Sequence, residues 1–209
     1  MSYTYDYFLH TCIKLKKSGF NLRNYLDIGA SGCETSDIIK RVWPKADILL
    51  IEANEEFENF YKKIGYKYII KCLGKENGEA NFYKTKKFKF ARGNSIYREI
   101  SDAYNDEMVI IEKIKTYKLD DIIDTKFDFI KLDTQGSELD IINGGINVIS
   151  KAKVIVVEIS LEETNINGCL APEIINKLNS LKFDLICPIE NIYKNPKEIQ
   201  QQSLLFIKK

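Results

Sequence analysis

With 209 residues the chain is long enough for one domain with a sizeable core. Lys+Arg 31 against Asp+Glu 30 leaves a net charge of +1, and the 44% hydrophobic and 29% charged fractions are those of an ordinary soluble globular protein, so nothing global points to a polyanionic partner or an anionic membrane. No apolar run is long enough to span a bilayer, and the start, Met1 to Asp6, lacks the basic and apolar regions of a secretory leader.

The five cysteines, Cys12, Cys33, Cys72, Cys169 and Cys187, are odd in number and form no C-x-x-C pair. The expectation is a reduced cytoplasmic protein with buried thiols.

Residues Tyr5 to Lys17 predict an amphipathic helix, because Phe8, Leu9, Cys12, Ile13 and Lys16 recur at helical spacing and Gly19 follows as a stop. This helix carries His10, the one histidine, which nothing marks as more than a surface or packing residue. The stretch from Asn24 to Ser36 organises the chain. It reads as a buried strand (Tyr25–Ile28), a glycine turn and a helix start. Thr35 and Ser36 are the candidate caps of a helix over Glu34–Val42, which Trp43-Pro44 ends. A second strand, Asp47–Ile51, ends in Glu52. Ala53-Asn54 then lead into a helix over Glu55–Ile64 with Phe57, Phe60 and Tyr61 toward the core. A third strand spans Tyr66–Cys72, and Leu73-Gly74 after it are candidate adenine contacts.

Asn77-Gly78 predicts a hairpin into an extra strand, Ala80–Tyr83. Lys84 to Arg92 then interleaves lysines (84, 86, 87, 89) with Phe88 and Phe90. In a nearly neutral protein this reads as a solvated strand or substrate-side loop, not a nucleic-acid surface. The loop from Lys84 to Glu107, containing Gly93–Tyr97, is the expected cover of the site and determinant of its acceptor. Met108–Tyr117 predicts a strand and Leu119–Ile123 a short helix. The fourth core strand, Phe127–Leu132, ends in Asp133-Thr134-Gln135-Gly136-Ser137-Glu138, and the helix after it has a weak point at Gly144-Gly145. The fifth strand, Val154–Val157, ends in Glu158. A helix over Pro172–Leu181 precedes two strands, Phe183–Cys187 and Ser203–Ile207, joined by a polar connection. Strands alternating with helices predict an open α/β sheet. No repeat or linker breaks the chain, so we expect one domain over 1–209, with an N-terminal helix within 1–20 and inserted strands and a loop over 78–117.

Ligands of open α/β sheets bind outside the carboxyl ends of the strands, and Gly29, Glu52, Asp133 and Glu158 all fall at that rim. Gly29 and Gly32 let the backbone turn and approach a ligand. Glu52, roughly 25 residues beyond Asp27, is placed to accept hydrogen bonds from a ribose diol. The G-x-G-x-x-G fingerprint is absent, and Asp27 beside the glycines would repel a pyrophosphate. A carboxylate there suits the sulfonium and ammonium of S-adenosylmethionine (SAM). These residues alone leave three alternatives open: a turn with no ligand, an NAD-dependent Rossmann-like enzyme, and a binding module without turnover.

Five segments together resemble FkbM-type methyltransferases: Leu26-Asp-Ile-Gly-Ala-Ser, Ile51-Glu-Ala-Asn, Lys118-Leu-Asp-Asp-Ile, Phe127 through Ile142, and Val157-Glu-Ile. The most specific is Ile130-Lys-Leu-Asp-x-x-Gly-x-Glu, and the resemblance runs from about Leu22 to the C-terminus. It implies the Rossmann-like class I methyltransferase fold, a seven-stranded, mostly parallel sheet with an antiparallel last strand and helices on both faces. It also implies SAM-dependent methyl transfer, usually to oxygen and often on a sugar or natural product. Asp27, Gly29 and Ala30 match the first SAM motif and Glu52 the ribose-binding acid. Asp133, Gln135, Gly136 and Glu138 match the motif beside the methyl group. One departure stands out: the glycine expected late in the first motif falls at Cys33, with Gly32 one place early.

The expected cofactor set is therefore Asp27, Gly29, Ala30, Ser31, Gly32, Glu52, Ala53, Leu73 and Asp133. The expected catalytic set is Asp133 as base or acceptor-orienting group, with Glu138 and Glu158 in support. Lys131 is expected to pack or orient. A divalent ion using Asp133 with Glu138 or Glu158 is conceivable but not predicted, because acids at one rim are not a metal motif. The expected partner is a small-molecule or glycan acceptor, with no nucleic acid and no membrane span.

Overall fold

The computed structural model describes residues 4–88 and 90–209. Met1–Tyr3 and Lys89, which enter the leader and basic-stretch readings, lie outside them. Helix α1 (Thr4–Lys17) leads into β1 (Asn24–Ile28), α2 (Glu34–Val42) and β2 (Asp47–Glu52). A single 3₁₀ turn, Glu55–Phe57, starts α3 (Glu58–Ile64), followed by β3 (Lys67–Ile70), β4 (Cys72–Leu73), β5 (Gly78–Thr85) and β6 (Val109–Tyr117). Then come α4 (Leu119–Ile122), β7 (Phe129–Leu132), α5 (Glu138–Gly144), α6 (Ile146–Ile149) and β8 (Val154–Ser160). Helix α7 (Ala171–Ser180) and the long hairpin β9 (Phe183–Asn195) and β10 (Glu198–Lys208) complete the chain.

Seven strands form the main sheet in the order β3-β2-β1-β7-β8-β10-β9, all pairs parallel up to β8, with β10 antiparallel to both neighbours. This is the expected architecture. The central strands are buried on both faces, as parallel strands flanked by helices must be. Side chains alternate between two cores. Leu26, Ile130, Ile155 and Phe206 pack with Ile141 of α5 and Leu178 of α7. Tyr25, Phe129, Val154 and Leu205 pack on the other face with Phe8 and Cys12 of α1 and Ile39 of α2. Each of these fully buried side chains is worth about 1.5–3 kcal/mol relative to exposure.

Several boundaries differ from expectation. The helix after Asn54 opens as a 3₁₀ turn because the Asn54 side chain accepts from the Glu56 N–H, and Phe60 is 37% exposed, not core. The third strand ends at Ile70, and Cys72-Leu73 pair instead with Thr116-Tyr117 of β6 in a second sheet, β4-β6-β5. Asn77-Gly78 makes no hairpin. Its flanking strands lie on opposite sides of β6, and the Asn77 side-chain Oδ1 instead accepts from the Lys118 N–H at 2.8 Å. The connection expected after Cys187 is mostly strand, since β9 and β10 pair almost along their whole length. That pairing also carries β8 on to Ser160, so Glu158 sits inside its strand and not at the end. Cys12, Cys33 and Cys72 are buried and Cys169 is half-buried, but Cys187, on the edge strand, is exposed; all five thiols are free. Among the described residues no helix is long and apolar enough to cross a membrane.

Candidate active site

At the carboxyl edge of β1 the chain must turn away from the sheet while passing close to β7. Gly29 does this at φ +75°, where a Cβ would stand 1.8 Å from the Asp133 carbonyl oxygen, so no larger residue fits this crossing. The Gly29 N–H donates to the Ile51 carbonyl at 2.9 Å, and the Asp133 N–H donates to the Ile28 carbonyl at 3.1 Å, which brings three strand ends together. The left-handed positions after Gly29 fall at Ser31 (φ 41°) and Cys33 (φ 67°), not at Gly32. Cys33 thus adopts the conformation that a glycine gives more easily, at a cost of about 1–2 kcal/mol, and its buried side chain packs in the core.

A cavity of about 310 Å³ opens at this edge, within the usual range of small-molecule sites. Gly29, Ala30, Ser31, Glu52, Ala53, Leu73, Asp133 and Glu158 line it. Three expected site residues, Asp27, Gly32 and Glu138, do not.

Glu52 joins two loops. One carboxylate oxygen accepts the Ser31 N–H at 3.0 Å, the other the Asn54 N–H at 2.9 Å, and Tyr61 clamps the Ser31 carbonyl at 2.8 Å. Burial pushes its carboxyl above the usual range, against the pull of those N–H groups.

Asp27 is fully buried. Its Oδ2 accepts Thr35 Oγ1–H at 2.9 Å and Ser36 Oγ–H at 2.6 Å. These hydroxyls are therefore not the caps of α2 that the sequence suggests; the carboxylate out-competes the backbone for them. The register pairs Asp27 directly with Lys131 on β7. Lys131 Nζ stands 3.6 Å from Asp27 Oδ1, 3.3 Å from the Gly29 carbonyl and 3.1 Å from Asp133 Oδ2. Burial works against this ammonium, but Asp133 and Asp27 outweigh it and hold its pKa above the ordinary lysine value. Lys131, expected to pack or orient, lines the cavity beside Asp133.

Gln135, in a left-handed conformation at φ 55°, bridges two acids: its Nε2 donates to Asp133 Oδ1 at 2.8 Å and to Glu158 Oε1 at 3.0 Å. Gln201 of β10 adds a donor to the same Glu158 oxygen at 3.2 Å. Burial, then the Asp133 charge, push the Glu158 carboxyl well above the usual range. Glu138 faces the loop and not the cavity. Its Oε1 accepts the Thr134 N–H at 2.6 Å and its Oε2 the Gly136 N–H at 3.1 Å. It braces the 133–138 turn and does not line the cavity, unlike Asp133 and Glu158, the other two acids of the expected catalytic set. Gln135 falls in the motif after the fourth strand, whereas Gln201, inside β10, carries no strand-end signal that local sequence could show.

Among the described residues no group of three or more His, Cys, Asp or Glu is arranged to hold a metal ion. The exposed His10 ring, with Nδ1 2.7 Å from the Asp6 carbonyl, lies on α1. The expected cover is partly in place: Ser95 Oγ donates to the Thr134 carbonyl at 3.1 Å, Tyr97 to Asp140 at 2.7 Å, and Arg92 pairs with Glu34 at the mouth. Two lysines of the basic stretch turn to the protein's own groups, Lys84 to Glu56 and Glu112 and Lys86 to the Glu107 carbonyl.

A family model described as the methyltransferase FkbM domain matches residues 27–185. The chain belongs to the FkbM methyltransferase family. No curated protein matches it in sequence. The fold is similar to a crystal structure of methyltransferase FkbM from Methylobacillus flagellatus KT, at 16% identity and TM-score 0.54 over 91% of this chain and 46% of that one. It is also similar to a S-adenosylmethionine-dependent methyltransferase from Clostridium acetobutylicum ATCC 824, at 11% identity and TM-score 0.55 over 98% and 92%. This chain spans about half the length of the Methylobacillus protein. Family and fold together support a SAM-dependent methyltransferase.

The acids of this FkbM site give stability a definite pH dependence. Glu52, Glu138 and Glu158 all have folded pKa values above the ordinary 4.5. Between the ordinary and the raised value the native state holds more protons than the unfolded chain, so stability falls as pH rises through that window and levels off above it. Each group contributes at most about 1.4 kcal/mol per pH unit. Thermal midpoints measured upward from about pH 5 should therefore fall, and Glu158→Gln should flatten part of the slope. An unchanged slope in that variant would show that Glu158 titrates normally.

Proposed function

We propose that the protein is an O-methyltransferase that uses SAM to methylate a hydroxyl of a sugar, glycan or natural-product-like acceptor. Bound SAM supplies an already activated methyl group. The chain's task is then to align the acceptor, exclude water and manage one proton. Alignment alone supplies on the order of 7–11 kcal/mol.

The observation that carries the reading is Glu52. Its carboxylate lines the cavity, and two backbone N–H groups fix it between the turn after β1 and the loop after β2. Each oxygen retains a lone pair for a ribose hydroxyl. In this reading the backbone of Gly29, Ala30, Ser31 and Ala53 flanks the cofactor, and Leu73 borders the adenine. Asp27 acts from beneath, by fixing Thr35, Ser36 and Lys131. Gly32 serves the turn. Asp133 accepts the acceptor's proton, held in place by Lys131 and Gln135. The displaced glycine favours a binding module without turnover only if it breaks the turn. Cys33 takes the left-handed conformation and the turn closes, which supports the catalytic reading.

Calorimetric titration with SAM and S-adenosylhomocysteine (SAH) tests this, with NAD as the control. Glu52→Ala should weaken both by roughly 10–100-fold, the worth of a charge-assisted hydrogen bond or two. Absence of heat and of thermal shift with either ligand would refute the cofactor assignment.

A further inference from the structure

The far wall of the cavity is not built by the 84–107 loop. It comes from the C-terminal hairpin, with Val156 and Glu158 of β8 and Phe8 of α1 beside it. The register places Glu158, Ser203 and Glu190 in one row across β8, β10 and β9. At that row the ladder slips: Ser203 pairs with Glu190, but Leu204 pairs with Pro188, leaving Ile189 as an extra residue. Such a bulge breaks the alternation of side chains, and here the consecutive residues Ile189 and Glu190 both line the cavity. Bulges re-aim side chains beside active sites, and this one turns an edge strand into a wall of the site.

Resting on the methyltransferase reading above, we infer that this bulged hairpin is the acceptor subsite, and that it takes an uncharged, polyhydroxylated ring and rejects an anionic one. The polar groups are those that read hydroxyls: two carboxyl groups, the Gln201 amide and the Ser203 hydroxyl. Both amide donors on Glu158 sit on Oε1, and among the described residues its Oε2 takes no hydrogen bond. Adjacent strands lie about 4.8 Å apart, so Glu158 and Glu190 stand two spacings apart, room for a single ring between them. Ile189 and Phe8 add apolar surface for the ring's C–H face. An acceptor carboxylate or phosphate would meet three carboxyl groups, Asp133, Glu158 and Glu190, the first two already bridged by Gln135, while the nearby Lys131 ammonium is taken up by Asp133 and Asp27, so a further negative charge is disfavoured.

The test uses the whole protein saturated with SAH and a panel of methyl hexosides, each with its uronate counterpart, followed by saturation-transfer NMR. At least one neutral hexoside should bind, and its uronate should bind at least tenfold more weakly. Glu190→Ala and Gln201→Ala should each weaken the neutral hexoside at least fivefold, with SAH affinity held as the measure of intact folding. Equal binding of hexoside and uronate overturns the inference. So does hexoside binding unchanged in both variants, or no hexoside binding while SAH binds, and these leave the cofactor reading standing. Failure of SAH to bind overturns both.

Discussion

Asp133→Ala is expected to slow methyl transfer by about 10²–10⁴-fold, the usual worth of a positioned general base. The side chain lines the cavity, and its two oxygens have different duties: Oδ2 meets Lys131 at 3.1 Å and Oδ1 accepts Gln135 at 2.8 Å. An ion pair and an amide hold the carboxylate in one orientation, leaving its remaining lone pairs for the acceptor hydroxyl. Asp133→Asn separates the duties. It keeps size and shape but cannot take a proton, so kcat should fall as far as in the Ala variant while the acceptor KM stays near wild type. Recovery of kcat in the Asn variant would make Asp133 a positioning residue, and unchanged activity in the Ala variant would remove it from the reaction. Single-turnover rates with SAH affinity measured alongside distinguish these results from misfolding.

The rim of the site was legible in the sequence because strand ends are local features. A run such as Tyr25–Ile28 ending in Gly29, or Phe127–Leu132 ending in Asp133, announces its edge without reference to the rest of the chain. What those residues face is set by register between distant strands, which no local pattern encodes. Asp27 reads as a ligand-facing acid until β7 is laid beside β1 and Lys131 lands opposite it. A signal was present: a lysine between Ile130 and Leu132, in a strand buried on both faces, needs a counter-charge. The acceptor wall was less legible still. Glu190 lies in a stretch that reads as a polar connection, and only the bulge at Ile189 brings it to the cavity. Glu138 shows the converse. Its place in the motif is clear, but whether a first-turn acid looks outward or back into its own loop depends on Thr134 and Gly136 offering their N–H groups.

Lys131→Met tests whether the buried charges form one unit. Met nearly matches the lysine stem, so packing is kept and the charge removed. Asp27 is then left fully buried with two hydroxyl donors on Oδ2 and no cation within reach among the described residues, while Oδ1 already takes no hydrogen bond. Removing one partner of a buried pair costs about 3–5 kcal/mol, which for a chain of this length lowers the thermal midpoint by roughly 6–20 °C. The sign with pH follows from the raised Lys131 pKa. Its contribution is complete below the ordinary lysine value of 10.5 and fades only as pH rises through the folded value, so the loss should be constant across neutral pH. Adding Asp27→Asn removes the stranded charge and should restore a large part of the stability, giving a coupling energy far from zero in the double-mutant cycle. Strict additivity would mean that Asp27 and Lys131 are held independently, and that the turn after β1 owes its shape to Thr35 and Ser36 alone.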